Sequence, residues 1–149
     1  MRRSRQLFLA MTLAIGAAAC DESLSSITGP TPDLEPTFSS IQTNIFENSD
    51  SSGRSACVTC HTNVGRPTVG GLVLLHDVAY DQLVNVFSNE VPSLKRVDPG
   101  NPDGSYMIHK LEGRAGIVGR RMPFNGPPYL TDGQIQVIKR WIELGAQRN

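Results

Sequence analysis

The chain has 149 residues, with 14 basic and 14 acidic side chains. That length suits one domain, and the lack of a basic excess argues against a nucleic-acid partner. Hydrophobic residues make up 39%, ordinary for a globular domain; no internal repeat is visible, and only three cysteines are present.

Arg2, Arg3 and Arg5 precede a short apolar run, Leu7 to Ala19. That run is shorter than the ~20 residues a stable membrane span needs, so it reads as an export signal. It ends Ala17-Ala18-Ala19-Cys20, which resembles a bacterial lipoprotein signal, in which the cysteine is lipidated and becomes the first residue. Ala17 departs from the larger aliphatic residue usual there, and an ordinary signal peptide cleaved nearby is the alternative. Both readings export the chain. The expected location is the periplasmic side of a bacterial membrane, with a lipid anchor at Cys20. Losing residues 1–19 removes three arginines and no acids, leaving 11 basic against 14 acidic side chains, a net charge of −3. Residues 20–36 are rich in Ser, Pro, Thr and acids and read as a flexible tether. The globular domain is expected over 37–149.

A first helix is expected over about 37–47, with Thr37 as N-cap and Phe38, Ile41 and Ile45 on one face. A polar loop over 48–55 leads to Cys57-Val58-Thr59-Cys60-His61. After it come a glycine-containing loop and an apolar run, Leu72 to Leu75, that suits a strand or a buried turn. A second helix is expected over about 78–88, capped by Asp77, with Tyr80, Leu83, Val84, Val86 and Phe87 in one arc at ~100° per residue. A third starts at Pro102 behind Asn101 and ends at Gly113, burying Met107, Ile108 and Leu111. The last begins at Thr131, where Gln134 completes a capping box. Ile135, Val137, Ile138, Trp141, Ile142 and Leu144 form its apolar half, and Gly145 stops it.

Cys57-Val58-Thr59-Cys60-His61 carries the chemistry. Two cysteines three apart followed by histidine form the attachment pattern for a covalent haem c. The thiols add across the vinyl groups, and His61 reaches the iron from the proximal side. Cys20 is accounted for by the signal, so no cysteine is left for a disulfide. One copy of the motif means one haem, whose apolar surface helps a domain of about 110 residues form a core. The distal ligand needs sulfur or imidazole, and the candidates are Met107, Met122, His76 and His109. Met122 is preferred. It lies in residues 113–130, an irregular loop with four glycines and three prolines, and loops of this length are usually functional or disordered. Pro123 biases it toward extended geometry, from which a thioether projects freely; the alternative is packing on the core. Met107 reads as core, His109 as solvated, and His76 as the bis-histidine alternative.

Together, the Cys57–His61 motif, Met122-Pro123 in its glycine-rich loop and the capped last helix resemble class I bacterial cytochromes c. The stretches Arg96 to Tyr106, Lys110-Leu111, Arg121-Met122-Pro123, Gly126-Pro127-Pro128 and Trp141 to Ala146 are similar to the small cytochrome c domains of planctomycete-type proteins. The resemblance covers roughly residues 38–147. It implies an all-α fold, four or so helices around one covalent haem, with the first and last helices packed together. It also implies His61 and Met122 as axial iron ligands, and electron transfer to redox partner proteins rather than bond chemistry. Arg120 and Arg121 are candidate contacts for the haem propionates or solvated loop residues, and Trp141 lines either the pocket or the helix-packing core. Three other readings are a five-coordinate or bis-histidine haem acting as a small-ligand sensor or peroxidase-like enzyme, a dithiol redox pair, and half of a zinc site. The dithiol wants a βαβ context and zinc wants further ligands.

Overall fold

The computed structural model describes residues 33–149. The export signal, Cys20 and most of the tether lie outside the described residues. Among the described residues there are four α-helices: α1 (Phe38–Ile41), α2 (Ala79–Leu83), α3 (Tyr106–Glu112) and α4 (Asp132–Glu143). The described residues form an all-α fold without strands; three isolated bridges, Val84 with Val97, Phe87 with Lys95 and Lys95 with Ser105, join the segments between α2 and α3. No helix among them is long and apolar enough to cross a membrane.

α4 is the element that sequence reading describes best. The Thr131 hydroxyl accepts from the Gln134 amide, and the Gln134 side chain returns a bond to the Thr131 backbone, so two orphan donors of the first turn are satisfied. Ile135, Val137, Ile138, Trp141 and Ile142 are buried. Leu144, expected on the same face, is exposed, because the helix ends at Glu143 and Gly145 turns away at φ 94°. α1 packs against this helix. Phe38 lies 5.7 Å from Trp141 between ring centres, its amide donates to the Asn149 side chain at 2.9 Å, and the Ser39 amide donates to the Asn149 carbonyl. Thr37 caps α1 through the Ser40 amide. Leu34, placed in the tether by its composition, is 1% exposed and belongs to the core.

The first helix does not stay α-helical. From Gln42 to Glu47 it widens into a π-helical turn. Arg54, 1% exposed, collects the carbonyls that this winding presents. It donates to the carbonyls of Ile45 and Asn48 at 3.2 and 3.0 Å and to the Asp50 carboxylate at 3.0 Å. The "polar loop" of 48–55 is thus folded around a buried arginine.

The second helix is shorter than expected. It runs only from Ala79 to Leu83, and Val78, not Asp77, stands at its N-cap without a side-chain bond. Asn85 adopts φ 61°, and the chain then pairs backward: the Asn85 amide donates to the Val97 carbonyl and the Arg96 amide to Val86. Phe87 consequently points out, 58% exposed. The third helix divides at Ser105. Pro102–Gly104 form a single 3₁₀ turn capped by Asn101, and α3 follows, closed by Gly113 at φ 73°, a left-handed position glycine adopts without strain.

Candidate functional site

Cys57–Thr59 form one 3₁₀ turn, and the amides of Cys60 and His61 both donate to the Cys57 carbonyl, at 3.2 and 2.9 Å. This winding puts the two thiols and the imidazole on one short stretch of wall. Cys57 is half-buried, and its thiol donates to the Ile45 carbonyl at 3.4 Å; Cys60 is exposed, and neither forms a disulfide. Burial pushes the Cys57 thiol up to about 11, with the Arg54 guanidinium pulling the other way. The His61 carbonyl accepts from the Leu74 amide at 2.9 Å, which ties the motif to the Leu72–Leu75 run, where Val73 and Leu74 are buried.

This wall faces a cavity of about 380 Å³, lined mainly by apolar side chains such as Ile45, Leu72, Leu83 and Leu111. Met122 and Met107 both line it, as do Pro123 and Phe124. The sequence expectation brought Cys57, Cys60, His61 and Met122 to one place, and all four line this cavity. Met107, expected in the core, is only partly buried and contributes a second thioether to the wall. His76 lies on a separate cleft and contacts Glu47 at 3.4 Å, while His109 Nε2 contacts the Asp103 carbonyl at 2.7 Å. Neither histidine lines the main cavity.

The Met122 loop is held by α3. The Met122 amide donates to the Lys110 carbonyl at 2.8 Å. Upstream, Lys110 Nζ donates to the Val118 carbonyl at 2.6 Å, and the Val118 amide donates to the Tyr106 hydroxyl at 3.0 Å. Tyr106 in turn donates to Glu90 at 2.8 Å, and Lys110 pairs with the same carboxylate at 3.3 Å. Across the mouth the Asn125 side chain donates to Ser55, joining this loop to the cysteine segment. Arg121 does not line the cavity. Its Nε donates to the Leu111 carbonyl at 2.7 Å and its guanidinium lies 4.3 Å from the centre of the Tyr129 ring. The cations in the wall are instead Arg66, Arg96 and Lys110. Sequence reading missed them, as it missed Tyr106 and Glu90, because each reads locally as an exposed polar or helix-face residue; Arg66 is indeed exposed at the rim, whereas Arg96, Lys110, Tyr106 and Glu90 are brought inward by pairing between segments. Trp141 sits in the helix-packing core and not in the cavity.

Burial holds the His61 ring below the ordinary histidine value, while the backbone carbonyls of Leu72 and Val69 beside it pull the other way. Nδ1 is buried with no aligned partner. Among the described residues no three His, Cys, Asp or Glu side chains gather into a site for a bare metal ion. Comparison with known proteins finds no matching family, no matching curated protein and no matching solved structure.

Proposed function

We propose that this chain is a monohaem c-type cytochrome that carries single electrons between redox partner proteins outside the cytoplasm, tethered through a lipid on Cys20. The observation that carries the reading is the joint position of Cys57, Cys60, His61 and Met122 around one apolar cavity. Two thiols on a single turn suit covalent attachment. Cys57 and Cys60 would hold a haem edge as thioethers. With Nδ1 of His61 buried, Nε2 would be the atom that holds the iron. A bare ion would want more donors than these elements bring together, whereas a porphyrin supplies its own four nitrogens.

Bound haem supplies a one-electron iron couple. The chain's residues bind it, close it and set its electronics. Cys57 and Cys60 fix its edge, and the leucines of the wall exclude water. The Met122 thioether, held to α3 through its backbone, would be the second protein donor to the iron, which would raise the reduction potential relative to a bis-histidine site. With His61 and Met122 both holding the iron, no position would be left for substrate, which favours electron transfer over bond chemistry.

Met107 on the same wall supports a second assignment of the distal thioether. Absorption spectra of the oxidised wild type, Met122→Ala and Met107→Ala decide between them. The expected result is a sulfur-to-iron charge-transfer band in wild type and Met107→Ala that disappears in Met122→Ala. The reverse pattern moves the ligand to Met107. Ready carbon monoxide binding by reduced wild type at neutral pH would contradict the closed site and favour the small-ligand sensor or peroxidase-like reading.

A further inference from the structure

Among the described residues, every lysine and arginine but Arg66, Arg96, Arg120 and Arg121 pairs with a carboxylate. Arg66 and Arg96 line the main cavity, and Arg120 and Arg121 directly precede Met122, which lines it too. The carboxylate described in that wall, Glu90, is met by Lys110 at 3.3 Å. The carboxylates Asp33, Glu35, Asp77 and Asp132, which pair with no cation among the described residues, lie outside the cavity lining. Arg96 is buried, and Arg121 is half-buried against Tyr129, so Arg66 and Arg120 are the exposed members of the set. Arg66 donates to the Thr59 carbonyl at 3.3 Å, and the Arg120 guanidinium lies 5.2 Å from the centre of the Phe124 ring. Charge is therefore sorted. The mouth is positive, on a chain that carries 11 basic against 14 acidic side chains over residues 20–149.

Apolar side chains are exposed in the same place. Phe124 is 60% exposed and Val69 39%, and both line the cavity. Val64 is exposed between His61 and Arg66 in the chain, and Val118 is exposed where its backbone bonds the wall side chains Tyr106 and Lys110. Cys60 is exposed at the same wall. Exposed apolar clusters rimmed by polar groups mark interaction sites, and a protein interface has this anatomy, apolar at its centre and polar at its rim. Two exposed arginines fall short of the cluster of about four to eight cations that draws a segment to an anionic membrane.

We infer that the cavity mouth is a docking surface for an acidic partner protein, whose carboxylates meet Arg66 and Arg120 while its apolar side chains cover Phe124, Val69 and Val64. The inference rests on the electron-carrier reading above and supplies the chemistry of the partner. Net charge alone would draw a basic partner. The local field draws an acidic one, because exposed charges act over a Debye length of about 8 Å at physiological salt.

The test uses the full chain, haem-loaded and reduced, with ferricyanide as an anionic probe. One electron passes from the haem iron to ferricyanide, giving ferrocyanide, and no bond or proton moves. The rate should fall about tenfold as ionic strength rises from about 10 mM to about 1 M, which shrinks the Debye length from about 30 to about 3 Å. A rate that rises with salt, as net charge would dictate, would overturn the inference. Arg66→Glu/Arg120→Glu should abolish or invert the fall. Arg140→Glu/Arg148→Glu makes the same change of net charge elsewhere and should keep it; equal inversion in both variants would also overturn the surface. A second arm needs no haem. A ten-glutamate peptide should slow amide exchange at 64–70 and 120–125 in wild type and not in Arg66→Glu/Arg120→Glu. Protection there by phosphatidylglycerol vesicles over phosphatidylcholine vesicles, without protection by the peptide, would assign the face to a membrane and overturn the protein partner. A wild type that takes up no haem sinks the haem reading, while the peptide arm still decides the surface. Should the double reversal not fold, Arg66→Gln/Arg120→Gln should weaken peptide protection about tenfold, and unchanged protection would count equally against the proposal.

Discussion

Where α1 meets α4, Phe38 rests on Trp141, the capping box closes the helix start, and the buried side chains are aliphatic or aromatic apart from Gln42 and Gln134. Around the cavity the buried groups include Arg96, Lys110 and the unpartnered Nδ1 of His61, and the backbone is mostly irregular. On the helical side, local caps at Thr37 and Thr131 satisfy the helix starts. The cavity side satisfies itself through bonds between distant segments, such as Asn125 to Ser55 and Arg96 to Gly71, and its sulfur and imidazole atoms face open space. Regions left incomplete in this way are where a ligand contributes stability.

The largest effects expected separate the two sides. Trp141→Ala empties the middle of the helix contact and should cost about 3–5 kcal/mol in urea unfolding, with or without haem. Arg54→Ala should cost a similar amount, about 3–5 kcal/mol, by a different route: it leaves the Asp50 carboxylate without its cation and the Ile45 and Asn48 carbonyls without their donor. It should also reduce haem attachment at Cys57, since that turn supplies the Ile45 carbonyl the thiol bonds. Equal haem loading in both variants would break the distinction.

A pH scan sharpens it. For Asp50, burial would raise the pKa, but hydrogen bonds from Ser52 and Arg54 outweigh it and hold the carboxyl below the ordinary 3.8. A carboxyl lowered on folding contributes stability above its unfolded value, lost as pH falls through the lower folded one. Wild type should therefore lose stability as pH drops below about 4, and Asp50→Asn should show less of that slope. The smallest effect belongs to Thr131→Ala, which should cost about 1 kcal/mol by removing the cap of α4, and should leave the haem spectrum unchanged.

How much was legible follows the same division. Thr131, Gln134 and the i, i+3, i+4 spacing in α4 act within a few residues, so the helix is readable from the chain. Thr37 and Gly113 are readable for the same reason. The stretch after Leu83 is not: Val84, Val86 and Phe87 fit a helical arc by spacing, but Asn85 turns left-handed and backbone pairing with 95–97 takes over. Cys57, Cys60 and His61 are legible because chemistry dictates their spacing. Met122 is legible as an unusual methionine in an unusual loop. Arg54, Arg96 and Lys110 are not, because burying a cation depends on carbonyls up to 25 residues away in the chain.

One measurement bears most directly on the central claim. The exported wild-type chain is denatured, run on a gel and stained for haem beside Cys57→Ala/Cys60→Ala. Haem that stays with the denatured wild-type band and is missing from the double variant is the result expected of thioether attachment at these two residues. A wild-type band without haem, prepared from cells that mature other covalent haem proteins, would contradict it.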